Sequence, residues 1–225
     1  MTAPFERLRL SPTYGLFGRW LQILALAAPL FSSADAMAAQ KRVLAFGDSL
    51  TAGFGLPAAD ALTAQLEKRL QADGFDVKVI NAGVSGDTTA AGLARLGFTL
   101  DGLPRKPDLV IVGLGANDML RGLSPAQTRA NLQAMLDELK RREVRVALTT
   151  MMAAPNLGED YARAFNPIYA DLARSSGASL YPFFLEGVAG QPDKLLPDGM
   201  HPNAQGVEII AKKIAPAVAG DLPKG

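Results

Sequence analysis

Residues 42–50 read RVLAFGDSL, a short apolar run that ends in a polar turn, and this stretch decides the fold. Its first part, Arg42–Gly47, is apolar after the first residue, which predicts a strand buried on both faces of a sheet. Four further runs, mostly of apolar or β-branched residues, follow along the chain: Val77–Ala82 (VKVINA), Leu109–Gly113 (LVIVG), Val144–Thr150 (VRVALTT) and Ser179–Tyr181 (SLY). The chain is therefore predicted to contain five buried strands.

Segments with the apolar spacing of amphipathic helices lie between and after these strands. Their predicted core-facing residues are Leu62, Leu66 and Leu70; Leu132, Met135, Leu136 and Leu139; Tyr161, Phe165, Ile168 and Leu172; and Val207, Ile210, Ala211 and Ile214. Alternating strands and helices predict an α/β domain with a parallel sheet covered on both faces. In such sheets ligands bind beyond the carboxyl ends of the strands, so the loops after the strands are the expected place for a site.

Local signals mark where some of these helices begin and end. The order Ser-Pro-Ala-Gln at residues 124–127 predicts a helix start with a capping serine, a proline in the first turn and a glutamine that closes a capping box. Gly74 and Gly177 are predicted helix stops. Pro167 interrupts the third apolar pattern, which predicts a kink, or a new helix capped by Asn166.

The composition excludes several classes of protein. The 225 residues are 48% hydrophobic and contain no cysteine, so the chain is neither disordered nor a disulfide scaffold. The formal net charge is only +1, which predicts no nucleic-acid partner. One histidine and no cysteine cannot assemble a zinc or blue-copper shell, and the sequence implies neither a metal nor an organic cofactor.

The first 38 residues have the order of regions found in a secretory signal peptide. Three arginines precede the apolar segment Leu21–Phe31, and small residues follow it, with cleavage predicted between Ala36 and Ala39. The apolar segment is shorter than the roughly 20 residues that span a bilayer, so we expect export, to the periplasm, without a stable membrane anchor. An uncleaved anchor or an amphipathic N-terminal helix is the alternative. Residues 39–225 would then form one domain, of oligomeric state unknown.

Four loops carry residues suited to hydrolysis by a serine nucleophile. They are Gly47–Leu50, Asn81–Asp87, Gly113–Asp118 and Asp198–Pro202, of which the first three follow predicted strands and the fourth precedes the last helix. A serine hydroxyl needs a base within hydrogen-bond reach, and that base needs a carboxylate to orient it. Ser49, His201 and Asp198 are the candidates for these three catalytic roles.

Acyl transfer also needs donors aimed at the oxyanion of its tetrahedral intermediate. The candidates are the backbone N–H groups of Ser49 and Gly86 and the carboxamide of Asn117, which donates without titrating. Asp48 and Asp118, beside these residues, are predicted to hold the loops together rather than to react.

The four loops resemble the four motif blocks of the SGNH, or GDSL-type, hydrolase superfamily. Within it, Phe46–Leu56 (FGDSLTAGFGL), Asn81–Thr89 (NAGVSGDTT) and Gly115–Leu123 (GANDMLRGL) resemble the exported bacterial arylesterase, thioesterase I and lysophospholipase L1 group. The resemblance implies a flavodoxin-like three-layer α/β/α sandwich with a five-stranded parallel sheet in the order 2-1-3-4-5. It also implies a small-molecule acyl ester or lipid as the substrate, cleaved as a carboxylic ester, an acyl thioester or a lysophospholipid.

The substrate groove is predicted only from the position of residues along the loops. Leu120, Met152 and Pro155 lie on or near the predicted loop edge and are the candidate substrate-binding residues. Two alternatives stay open: a carbohydrate O-deacetylase on the same fold, and a non-catalytic flavodoxin-like module that binds a ligand at the same strand ends.

Overall fold

The computed structural model describes residues 40–223, in which five parallel strands form one sheet in the order β2-β1-β3-β4-β5. The strands are β1 (Lys41–Gly47), β2 (Val77–Gly83), β3 (Leu109–Gly113), β4 (Val146–Thr150) and β5 (Ser179–Phe183). The predicted fold class and strand order are therefore confirmed. The predicted signal segment, residues 1–38, lies outside the described residues.

The helices cover the sheet in two groups. In one group α2 packs against α8, and in the other α5 packs against both α3 and α7. The helices are α1 (Ser49–Ala52), α2 (Leu62–Ala72), α3 (Thr89–Asp101), α4 (Ala116–Leu120), α5 (Pro125–Arg141), α6 (Glu159–Phe165), α7 (Ile168–Ser176) and α8 (Ala204–Asp221). Of residues 40–223, no helix is both long and apolar enough to cross a lipid bilayer.

Helix α3 is the longest helix that the apolar pattern did not predict; the others are the short helices α1 and α4. Its buried face consists of Thr89, Gly92, Leu96 and Leu100, so half of that face is not strongly apolar. Gly92 allows the helix to approach its neighbours closely, since a Cβ there would lie 2.4 Å from Leu114 Cδ1. Close backbone packing at Gly92 takes the place of a large apolar side chain on the buried face of α3. The apolar spacing that predicts an amphipathic helix is therefore weak in this segment.

The predicted start of α5 is confirmed, whereas its predicted capping bonds and the predicted start of β4 are not. Helix α5 begins at Pro125 after Ser124, but the Ser124 side chain makes no capping hydrogen bond. The Gln127 amide donates to Asn131 Oδ1 at 3.0 Å instead of closing a capping box. Strand β4 begins at Val146 rather than at residue 144.

Pro167 separates two helices, as predicted, because α6 ends at residue 165 and α7 begins at residue 168. Asn166 does not cap α7, which corrects the prediction; its Oδ1 accepts a hydrogen bond from Ala153 N at 2.8 Å. This bond ties the loop after β4 to the break between the helices. Gly177 ends α7 at a φ of +77°, as expected for a glycine stop.

Three glycines lie side by side at the carboxyl edge of the sheet. Gly47 ends β1 and is in register with Gly83 of β2 and Gly113 of β3. A Cβ at Gly47 would lie 2.1 Å from Thr51 Oγ1, and one at Gly83 would lie 2.3 Å from Ala52 N. The absence of these side chains lets the short helix α1, which begins with Ser49, sit directly on the strand ends.

Candidate active site

Ser49 is held in place by the turn between β1 and α1. The preceding residue, Asp48, caps the helix, because its Oδ1 accepts a hydrogen bond from Leu50 N at 3.0 Å. The Asp48 carbonyl accepts from Ala52 N at 2.9 Å, which closes the first turn. Since β1 lies between β2 and β3, Ser49 emerges between the loops that follow those strands.

Ser49, His201 and Asp198 form a continuous hydrogen-bonded chain. Ser49 Oγ lies 2.9 Å from His201 Nε2, and His201 Nδ1 lies 2.7 Å from Asp198 Oδ2. An imidazole that donates from Nδ1 to the carboxylate presents an unprotonated Nε2 to the serine hydroxyl. The geometry is therefore suited to removal of the Ser49 proton by His201.

The carboxylate of Asp198 is kept ionised by its own turn. Its Oδ1 accepts from the backbone N–H groups of Met200 and His201, at 2.9 and 3.0 Å. These two bonds, together with the His201 side chain, lower the pKa of Asp198 to about 2. The carboxylate therefore stays charged at any pH at which the imidazole needs it.

The loop that carries this pair is pinned to the start of α8. The Leu196 N–H donates to the His201 carbonyl at 2.7 Å, and residues 195 and 202 form an antiparallel bridge. Asn203 caps α8 by accepting from Gly206 N at 3.0 Å, and its Nδ2 donates to the Asp193 carbonyl at 3.0 Å. This ties the catalytic loop to the helix that follows it.

Phe54 packs against the imidazole of His201. The two ring centroids are 4.4 Å apart with an interplanar angle of 33°. Phe54 follows α1, and its N–H donates to the Ser49 carbonyl at 3.1 Å, so this contact joins the nucleophile segment to the histidine loop. No pattern in the sequence indicates this contact.

The three predicted oxyanion donors, Ser49, Gly86 and Asn117, line one cavity together with His201. Asn117 Nδ2 donates to the Asp87 carbonyl at 3.0 Å and lies 3.4 Å from Asp48 Oδ2. Both contacts hold the carboxamide beside the serine. The structure thus brings the predicted catalytic and oxyanion residues together in one place.

Asp48 is fully buried, although it lies next to the nucleophile. Burial raises the pKa of its carboxyl group to about 6, and the hydrogen bond from Leu50 N works in the opposite direction. With one oxygen on the helix start and the other facing Asn117, Asp48 holds loops together, in keeping with the predicted structural role.

Asp118 connects three helices below the site. Its carboxylate accepts from Thr89 N at 2.7 Å and from the Thr89 hydroxyl at 2.5 Å. The Thr128 hydroxyl donates to the same carboxylate at 3.2 Å, and Asn131 Nδ2 donates to Thr89 Oγ1 at 3.0 Å. Asp118 therefore ties α4 to the starts of α3 and α5, and it is not among the residues that line the cavity.

The cavity beside Ser49 has a volume of about 370 Å³, and apolar side chains line most of it. Of the three predicted groove residues, Leu120 lines this cavity, whereas Met152 and Pro155 do not. Both of these lie exposed on the loop after β4. The apolar residues that do line it are Leu50, Phe54, Ala116, Met119, Leu120, Leu185, Ala189, Leu195 and Met200.

Most of this lining was not predicted from the sequence. The connection between β5 and α8 contributes the largest part, with Leu185, Ala189, Gly190, Leu195 and Met200. The rule that ligands bind beyond strand ends pointed to the β5 loop, and Met200 lies between the two motif residues Asp198 and His201. In residues 40–223, no three carboxylate, imidazole or thiol groups gather in an arrangement suited to a metal ion.

Comparison with known proteins places these observations in a family. The GDSL-like Lipase/Acylhydrolase family matches residues 45–209. An arylesterase of Vibrio mimicus is 39% identical over 195 residues, which are 87% of this chain and 96% of that protein. The Escherichia coli K12 protein thioesterase 1/protease 1/lysophospholipase L1 is 38% identical over 188 residues, which are 82% of this chain and 88% of that protein.

A solved esterase structure is also similar to this chain. The crystal structure of AlinE4, described as an SGNH-hydrolase family esterase, superimposes with a TM-score of 0.71 at 52% identity, covering 84% of this chain and 100% of that one. The resemblance stated from the four motif blocks is therefore confirmed. The chain belongs to the GDSL-like lipase and acylhydrolase family, the SGNH hydrolases, and is a serine esterase.

Proposed function

We propose that this chain is an exported serine acyl hydrolase that cleaves carboxylic esters through an acyl-Ser49 intermediate. The observation that carries the proposal is the hydrogen-bonded chain Asp198–His201–Ser49, with distances of 2.7 and 2.9 Å, which opens into an apolar cavity. A weak nucleophile, a base and an orienting carboxylate are the parts that acyl transfer requires.

In the first half-reaction, Ser49 Oγ attacks the carbonyl carbon of the ester while His201 Nε2 takes the serine proton. The imidazolium that forms is stabilised by Asp198, whose low pKa keeps it negative. The tetrahedral intermediate collapses when its carbon–oxygen bond to the alcohol breaks, and His201 gives its proton to the departing oxygen. The acyl group then remains as an ester of Ser49.

In the second half-reaction, water takes the place of the alcohol. His201 accepts a proton from water as the water oxygen attacks the acyl carbon, and it returns that proton to Ser49 Oγ when the carboxylic acid leaves. The N–H groups of Ser49 and Gly86 and the Asn117 carboxamide are assigned to the oxyanion in both halves. Each well-placed donor is worth about 3 to 4 kcal/mol of the barrier.

The lining of the cavity supports an uncharged, apolar acyl or aryl group as the main recognition element. Among the described residues that line it there is no lysine, arginine, aspartate or glutamate, and His201 is the one ionisable group. Phe54 is the one aromatic residue of this lining, which is a poor platform for a sugar. These features favour aryl and alkyl esters over the carbohydrate O-deacetylase alternative.

The proposed export of the enzyme favours oxygen esters as substrates, because an exported enzyme does not meet acyl thioesters of cytosolic carriers. We propose that residues 1–38 act as a signal peptide and that residues 39–225 work outside the cytoplasm, in the periplasm. The apolar order of Leu21–Phe31 followed by small residues supports this assignment. Acyl thioesters and lysophospholipids are secondary substrates of the same site, in line with the name of the Escherichia coli relative.

The test compares wild type with Ser49→Ala on nitrophenyl acetate, butyrate and octanoate. Loss of the nucleophile is expected to lower kcat by at least about 10³-fold. Ser175→Ala is the matched control, because this exposed serine lies on α7 and its hydroxyl donates to a carbonyl of its own helix. Equal activity of wild type and a folded Ser49→Ala variant would overturn the proposal.

A further inference from the structure

Arg95 of α3 joins the loop that carries the nucleophile to the loop that carries an oxyanion donor. Its Nε donates to Asp87 Oδ2 at 2.6 Å, and its Nη2 donates to the Gly47 carbonyl at 2.9 Å. The guanidinium lies 4.0 Å above the centre of the Phe46 ring, which supports it from below. The Arg95 and Asp87 side chains are only 21% and 12% exposed, so water weakens this ion pair little.

Each partner of Arg95 is adjacent to the reacting groups. Gly47 is the last residue of β1 and is followed by Asp48 and Ser49. Asp87 follows Gly86, and its carbonyl accepts the hydrogen bond from Asn117 Nδ2 at 3.0 Å. One guanidinium therefore fixes the backbone before the nucleophile and the residue that holds the oxyanion carboxamide.

The Gly47 carbonyl is a junction between the two loops. Besides Arg95, it accepts from Val84 N at 3.0 Å, and the Val84 carbonyl accepts from Asp87 N at 3.2 Å. These bonds shape the turn from Val84 to Asp87, in which Gly86 has a φ of +86°. The direction of the Gly86 N–H therefore depends on the position of Asp87, which Arg95 holds.

We propose that Arg95 is a positioning residue for the oxyanion site, acting through Asp87 on Asn117 and on the Gly86 turn. The proposal rests on the function proposed above. Arg95 is not among the residues that line the cavity, so a direct role in substrate binding is not part of it.

The planar fork of arginine suits this position because it presents two N–H groups to two acceptors at once. A lysine ammonium at the same place would act as a point charge and lose the fixed geometry. Oxyanion donors are effective only when they are aimed at the developing charge in advance. An error of about 1 Å in such a group can cost on the order of 100-fold in rate.

The experiment compares Arg95→Met with Arg142→Met as the matched control. Arg142 is 25% exposed, is bound to Glu138 and Asp101, and thereby ties the opposite end of α3 to α5. Both variants lose a partly buried ion pair and some stability, which urea unfolding measures. We expect Arg95→Met to lower kcat by about 10- to 100-fold with KM within about twofold, and Arg142→Met to leave kcat unchanged.

A second comparison tests whether the effect passes through the oxyanion donor. In the Asn117→Ala background, Arg95→Met is expected to lower kcat by a clearly smaller factor than in the wild type, because one of the two donors that Arg95 positions is already absent. If Arg95→Met does not fold, Arg95→Lys replaces it, with the same coupling expected. The proposal is overturned if the rate loss matches that of Arg142→Met, or if it is equally large with and without Asn117.

The outcomes also separate this proposal from the function on which it rests. An inactive wild type, or an active Ser49→Ala variant, would contradict the proposed acyl hydrolase itself. An active wild type with an inactive Ser49→Ala variant and a fully active, folded Arg95→Met variant would contradict the role of Arg95 alone.

Discussion

Replacing Asp48 by asparagine should change how the stability of the protein depends on pH. Asp48 has no exposed surface, and burial raises the pKa of its carboxyl group from 3.8 to about 6. Between these two values the folded protein holds a proton that the unfolded chain has released. The contribution of Asp48 to the unfolding free energy therefore falls as the pH rises through this window, from its full value well below pH 4 to almost nothing above pH 6.

The size of the effect follows from the two pKa values. A tenfold change in proton affinity corresponds to about 1.4 kcal/mol, so the interval from 3.8 to about 6 corresponds to about 3 kcal/mol. Asparagine keeps the shape of the side chain and can still accept from Leu50 N through its carbonyl oxygen. Asparagine carries no charge at neutral pH, so the unfolding free energy of the variant does not fall through the ionisation of a buried group at this position.

The assay is urea unfolding of wild type and Asp48→Asn at pH 4 and at pH 7. The stability of the variant relative to wild type should rise by about 2.5 kcal/mol between the two pH values, because the unfolded carboxyl is already partly ionised at pH 4 and all other titrating groups are common to both proteins. A difference that stays constant with pH would refute the argument, because Asp48 would then have the same pKa in the folded and unfolded states.

Three further changes test the site. Asp198→Asn should lower kcat by about 10⁴-fold with KM little changed, because the amide can donate to Nδ1 and hold His201 in the wrong tautomer; steady-state kinetics and a crystal structure with unchanged geometry check this. Asn117→Ala should lower kcat by about 10²- to 10³-fold, and a tetrahedral boronate inhibitor should bind correspondingly less tightly. Gly83→Ala should lower both stability, by about 1 to 3 kcal/mol, and kcat, because its Cβ would lie 2.3 Å from Ala52 N; thermal unfolding and kinetics measure the two effects.

The strands and most of the helices could be predicted from the sequence, because the strands are short and mostly apolar runs and the helices have regularly spaced apolar residues. The sheet order, in contrast, came from the family resemblance, since periodicity alone does not say which strands are neighbours. Helix α3 was missed because close packing at Gly92 and the buried hydrogen bonds of Thr89 replace apolar side chains on its core face. Asn166 was misread because its partner, Ala153, is remote in sequence.

In the site, the residues that sequence identified are those that lie within short motifs. The missing contributions come from tertiary contacts: Phe54 reaches His201, and Arg95 reaches Gly47 across 48 positions of sequence. No local pattern encodes such a pair. The groove was predicted poorly for the same reason, because which loop residue faces a cavity depends on how each loop folds.

The central claim is that Ser49 carries the acyl group. The most direct measurement is intact-protein mass spectrometry, with peptide mapping, after incubation with a nitrophenyl alkylphosphonate, which modifies serines that a neighbouring base activates. We expect one adduct per chain, on Ser49, none on Ser49→Ala, and much slower labelling of His201→Gln. Wild-type protein that hydrolyses esters without labelling at Ser49, or an identical adduct on Ser49→Ala, would contradict it.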